Sequence, residues 1–148
     1  VYYCTPFAKY PNRSMNMPLL RVRVLGALLY LCGAQGFLHW GFNFYNTQNS
    51  LAEIDPCADT SAGHCFFSGD QFIVYPYRGG AAGSLRAEAI AAGFYDYRAL
   101  KTLERRAGRD HVLRLLNEAG VKSFTEYPHS AEKFDALMES VIREIAEA

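Results

Sequence analysis

The 148-residue sequence has no surplus of charge, since fifteen Lys and Arg balance fifteen Asp and Glu. A chain without a net field has little to draw it onto nucleic acid or an anionic membrane surface, and neither partner is expected. It also lacks a long apolar run. The most hydrophobic stretch, residues 19–32, is broken by Arg21 and Arg23, and it falls short of the roughly 20 apolar residues that a bilayer span requires. It reads instead as a buried helix. Cysteine is sparse. Cys4, Cys32, Cys57 and Cys65 show neither CxxC spacing nor the density of a disulfide scaffold. Reduced, mostly buried thiols are therefore expected, which leans toward a cytoplasmic setting. A Cys57–Cys65 bridge is the alternative. Zinc beside His64 would need two further ligands that the local sequence does not offer, so neither a metal nor a cofactor is expected. Gly79, Gly80 and Gly83 precede a helix but lack the Lys-Ser/Thr of a phosphate-binding loop, and they read as a turn. No internal repeat is visible. The chain opens on the apolar Val1-Tyr2-Tyr3-Cys4, as a processed or excised segment would.

What is present is a composition that is 50% apolar, enough for one real core in the single-domain size range. Residues 2–6 read as a short strand, followed by a loop with turn signals at Pro11-Asn12 and Pro18. Apolar residues at Val24, Leu25, Leu28, Leu31 and Cys32 predict a helix over residues 20–34, with Gly36 as its left-handed cap. Residues 37–45 are almost continuously apolar and aromatic, as in a strand buried on both faces of a parallel sheet. Residues 47–70 form a long loop and 71–76 the next strand; residues 78–84 make a turn that ends in Ser84 as an N-cap. The helix after it carries Ile90, Phe94, Tyr97, Leu100, Leu103 and Ala107 at helical spacing. A short helix from Asp110, closed by Gly120, and a last one capped by Ser130 follow; the latter bears Phe134, Leu137, Met138, Val141, Ile142 and Ile145 on one stripe. Strand, helix, strand, loop, strand, helix implies right-handed crossovers and an α/β fold of about three parallel strands with two appended helices. Three parallel strands leave two open edges, so the pattern itself calls for further chain to close the sheet.

Three stretches together resemble the C-terminal part of glycoside hydrolase family 123 and its relatives. They are residues 36–45 (GFLHWGFNFY) with Asp55-Pro56 downstream, residues 68–76 (SGDQFIVYP), and residues 84–88 (SLRAE) leading to Asp96-Tyr97 and Leu100. The likeness runs over residues 3–116 and departs from the family pattern at Ala91-Ala92 and at Cys57. It implies the C-terminal segment of a (β/α)8 barrel over residues 1–120, with residues 121–148 as an appended amphipathic helix on the same structural unit. It also implies the activity of retaining β-N-acetylgalactosaminidases, in which the substrate's own 2-acetamido group is the nucleophile. That chemistry uses an Asp to orient the acetamide and an adjacent Glu to protonate the leaving oxygen. No consecutive Asp-Glu pair occurs in this sequence, so no catalytic residue is expected in it. The expected partners are an N-acetylhexosamine-type sugar and the upstream part of the same polypeptide.

Ligand-facing groups of such barrels come from the C-terminal ends of strands and the loops after them. Here those positions hold His39, Trp40, Asn43, Tyr45, Asp55, Asp70 and Tyr75, the expected substrate-binding set. Side chains alternate along a strand, which puts His39, Gly41, Asn43 and Tyr45 on one face and Leu38, Trp40 and Phe42 on the other. Asp55 and Asp70 are also ordinary turn residues, and Arg86 and Glu88 fit an ion pair or dipole contact in the first turns of a helix. A chain of these parts would supply pocket walls to a hydrolase; a non-catalytic carbohydrate-binding or assembly domain is the competing reading.

Overall fold

The computed structural model describes residues 10–45, 52, 55 and 67–147. The expected strand at residues 2–6, most of the loop at 47–70, and Cys4, Cys57, His64 and Cys65 lie outside the described residues. The first helical stretch forms as α1 (Leu19–Arg23) and α2 (Leu25–Leu31). They abut at Val24, which stays helical at φ −59 and ψ −19 and donates its N–H to Leu20 O at 2.9 Å. The ladder is therefore almost continuous. Its end comes earlier than expected: Gly33, not Gly36, takes the left-handed conformation at φ 69. Gly33 N–H then bonds Tyr30 O and Ala34 N–H bonds Leu29 O, the pairing of a Schellman cap. Cys32, at this frayed end, is exposed rather than buried.

Residues 37–45 are not a strand buried on both faces. They carry isolated bridges at Leu38 and Asn43 with bends at Trp40 and Phe42, and the Asn43 bridge pairs antiparallel with Phe72. Leu38 and Phe42 are 58% and 59% exposed. An apolar run alone does not distinguish burial on two faces from an aromatic surface. The next strand, β1 (Val74–Tyr77), starts three residues later than expected and pairs antiparallel with β2 (Gly80–Gly83). Arg78 and Gly79 between them both have positive φ, 47 and 75, the two-residue turn whose twist matches the flanking strands. The glycine-rich segment read as a turn thus contains a strand, hidden because Gly and Ala carry no β signature. Among the described residues the sheet is this two-stranded antiparallel one.

Helix α3 (Leu85–Ala107) is the spine. Ser84 caps it, accepting Ala87 N–H at 3.2 Å while its hydroxyl donates to Ile73 O at 2.6 Å, which ties the helix start to the chain entering β1. Helices α4 (Arg109–Glu118) and α5 (Ala131–Glu147) follow, and Lys133 N–H reaches the Ser130 cap at 3.3 Å. Leu28 and Tyr30 of α2, Leu100 and Leu103 of α3, Val112 and Leu116 of α4, and Phe134, Met138 and Val141 of α5 close one core. Ile142 is the exception on the expected stripe, 58% exposed. Arg23 pins three helices: its guanidinium donates to both carboxylate oxygens of Asp96 on α3, at 2.7 and 3.1 Å, and to Asp135 on α5 at 2.6 Å. Close approach of α1 and α2 to α3 needs glycine, because a Cβ at Gly26 would strike the Gly93 carbonyl and one at Gly93 the Arg23 carbonyl. Among the described residues no helix is long and apolar enough to cross a membrane.

Candidate functional site

The site grows out of the single bridge between residues 37–45 and the chain entering β1. Phe44 N–H bonds Gln71 O at 3.0 Å and Ile73 N–H bonds Phe42 O at 2.8 Å, the two bonds that frame the Asn43–Phe72 bridge. Gly41 passes so close to the Gln71 carbonyl that a Cβ there would lie 2.5 Å from its oxygen. This tight crossing puts Asp70 beside the preceding residues of the aromatic segment.

Asp70 is buried and receives two side chains. The Trp40 indole Nε1–H donates to Oδ2 at 2.8 Å, and His39 Nε2 stands 3.4 Å from Oδ1. Gly41 N–H donates to His39 Nδ1 at 3.2 Å, so the imidazole proton belongs on Nε2, facing the carboxylate. Both ring nitrogens are thereby engaged. Consecutive residues His39 and Trp40 converge on one carboxylate, a departure from the alternation expected of a regular strand. Burial works against the charged form of Asp70, but the bonds from His39 and Trp40 and the nearby Arg13 outweigh it and hold the carboxyl below the ordinary range.

Two arginines brace this node from behind. Arg13, 7% exposed, donates to Asp70 O from Nε and Nη2 at 3.0 and 2.7 Å, and Nη2 also meets Gly41 O. Arg86, 5% exposed, shares Nη1 among the carbonyls of Arg13, Gly69 and Phe72 at 2.8, 2.5 and 2.8 Å. Its Nη2 donates to the Tyr75 hydroxyl at 3.1 Å, and its guanidinium lies over the Phe72 ring at 5.6 Å. The ion-pair role expected of Arg86 is replaced by solvation of the cation with backbone carbonyls. Arginine provides that because its planar fork reaches several acceptors at once.

In front of this scaffold lies an open cleft of about 270 Å³, lined by Asn43, Tyr45, Val74, Tyr75 and Pro76 and by Gly80 and Ala81 of the hairpin. Tyr45 stacks on the buried Phe72 at 5.1 Å, and its hydroxyl donates to Val74 O. Burial, reinforced by Tyr75 and opposed by Arg86, pushes the Tyr45 phenol up to about 12, so it stays a neutral group. The lining combines aromatic faces, an amide and backbone polar groups, with no carboxylate among the described residues. Such a surface can bind a neutral, hydroxyl-bearing ligand.

The seven expected ligand residues therefore separate. Asn43, Tyr45 and Tyr75 meet at the open cleft. His39, Trp40 and Asp70 form the buried node, where their polar atoms bond one another; Asp55 is exposed. Arg13 and Gln71 were not anticipated, and no spacing signal marks them; Arg86 is the residue of the SLRAE motif whose burial the sequence left open. Among the described residues no cluster of three His, Cys, Asp or Glu could hold a metal ion.

None of the curated proteins compared with this chain matches it. The family model for the glycoside hydrolase 123 catalytic domain matches residues 1–103, which takes in the aromatic segment, the hairpin and most of α3 and stops short of the expected residue 116. The buried node, the cleft and the arginine brace all fall within that match, and the chain belongs to the glycoside hydrolase family 123 catalytic-domain family.

Proposed function

We propose that this chain supplies the sugar-binding wall of a glycoside hydrolase, with the cleft of Asn43, Tyr45 and Tyr75 as the surface that meets an N-acetylhexosamine. The observation that carries this reading is the meeting of those three side chains on one open cleft, in a chain that belongs to a glycoside hydrolase family. A pyranose ring has an apolar face suited to aromatic side chains and hydroxyls suited to an amide and backbone groups, and the lining has both.

The acids belong to upstream chain in this reading. An Asp-Glu pair there would orient the 2-acetamido nucleophile and protonate the leaving oxygen, in retaining β-N-acetylgalactosaminidase chemistry. The same upstream chain would close these elements into the (β/α)8 barrel that the resemblance implies. Residues 121–148 sit on this unit as an appended helix; Val121, Phe134 and Val141 share one core with α2, α3 and α4.

The test is hydrolysis of an aryl β-N-acetylgalactosaminide by the 148-residue chain, by the same chain extended upstream, and by the extended form carrying Tyr45→Ala. The reading expects activity only in the extended form, reduced by Tyr45→Ala. Turnover by the 148-residue chain would contradict the assignment of the acids upstream. An extended form that binds the sugar without turnover would favour the carbohydrate-binding alternative.

A further inference from the structure

Arg86 is a buried cation without a carboxylate in ion-pair range among the described residues. Burying a cation is tolerable only when polar groups replace its hydration, and three carbonyls do so on the Nη1 side. Nη2 does something different. It donates to the hydroxyl of Tyr75, a residue that lines the cleft. The other neighbour of that hydroxyl is the Met15 sulfur at 3.9 Å, a weak acceptor at the limit of contact. Among the described residues the hydroxyl is thus held at its rear, accepting from Arg86 and donating toward the sulfur.

We infer that Arg86 is a positioning residue for ligand binding: through its bond to the Tyr75 hydroxyl it fixes the Tyr75 ring in the cleft wall against which the sugar packs. The inference rests on the cleft being the sugar-binding surface. The geometry also ties Arg86 to the second tyrosine of the cleft. Phe72 is sandwiched by contacts with Tyr45 at 5.1 Å, Tyr75 at 5.5 Å and the Arg86 guanidinium at 5.6 Å, so the cation holds the rings of both tyrosines in register. Helix α3 carries Arg86 in its first turn, locked by the Ser84 cap, and thereby sets the cleft wall from the helical layer.

Titration of the full chain with N-acetyl-D-galactosamine, followed by NMR, tests this in four proteins: wild type, Tyr75→Phe, Arg86→Lys and the double variant. Arg86→Lys keeps the charge but loses the fork. Each single variant is expected to weaken binding by about five- to tenfold, the worth of one net hydrogen bond. The double variant should bind no more weakly than either single one, since Arg86 acts through the Tyr75 hydroxyl. A purely structural Arg86 would give losses that multiply in the double variant, and that outcome overturns the inference. If Arg86→Lys does not fold, Tyr75→Phe decides alone: sugar bound as tightly as by wild type overturns the inference. A wild type that does not bind the sugar at all overturns the reading of the cleft, and this inference falls with it. The two failures are thus separable.

Discussion

Trp40 and Asp70, thirty positions apart, are joined by a 2.8 Å hydrogen bond from the indole Nε1–H to Oδ2. The bond clamps the aromatic segment to the chain entering β1, and so fixes the back of the cleft that Asn43 and Tyr45 face. Replacing Trp40 with Phe keeps an aromatic ring but removes a donor from a buried carboxylate. A loss of about 1–2 kcal/mol is expected in denaturant unfolding. An unchanged midpoint would mean that solvent reaches Asp70 freely.

Asp70 should also shape the acid limb of stability. Its folded carboxyl is held below its ordinary value of 3.8, so as pH falls the unfolded chain takes up the proton first. Its contribution is complete above that ordinary value and is lost as pH drops through the folded one. Thermal melts from pH 6 to pH 3 should show a steeper decline for wild type than for Asp70→Asn, which starts less stable and lacks this proton linkage. Parallel declines would show that Asp70 is not held below its ordinary range.

Where the end of α1 meets α3, the packing leaves no room for a side chain. Gly93→Ala sets a methyl against the Arg23 carbonyl, which is backbone and cannot swing away. Overpacking of this kind costs about 1–3 kcal/mol or more. A midpoint equal to wild type would show that the two helices can separate without penalty.

Arg23→Met tests the pin between α1, α3 and α5. The side chain of Asp96 is 9% exposed and would lose both of its arginine contacts. Because Arg23 is itself 28% exposed, the loss should fall below that of a fully buried pair, at about 2 kcal/mol. The double variant Arg23→Met, Asp96→Leu should recover much of it, and a double variant no better than the single would refute the pairing as its cause.

The helical half of this fold was legible in the sequence, because caps and period are local: Ser84, Ser130, Gly120 and the Leu100–Leu103 spacing mark what forms. The sheet was not. The hairpin strand Gly80–Gly83 carries no β-branched or aromatic residue, and the antiparallel bridge at Asn43 depends on a partner far along the chain. That Asn43, Tyr45 and Tyr75 share one surface was in reach of the sequence, because all three were placed at the ends of expected strands facing one side. The removal of His39 and Trp40 to the Asp70 node was not, because it breaks the alternation on which face assignment rests. Backbone carbonyls, which every residue possesses and no motif records, hold Arg13 and most of Arg86.

The most direct test of the central claim is an amide NMR titration of the chain with N-acetyl-D-galactosamine, with shifts mapped by residue. The account predicts saturable shifts concentrated at Asn43, Tyr45, Tyr75, Gly80 and Ala81, with the Trp40 indole N–H little changed. Saturable shifts confined to another surface, or none at all, would contradict it.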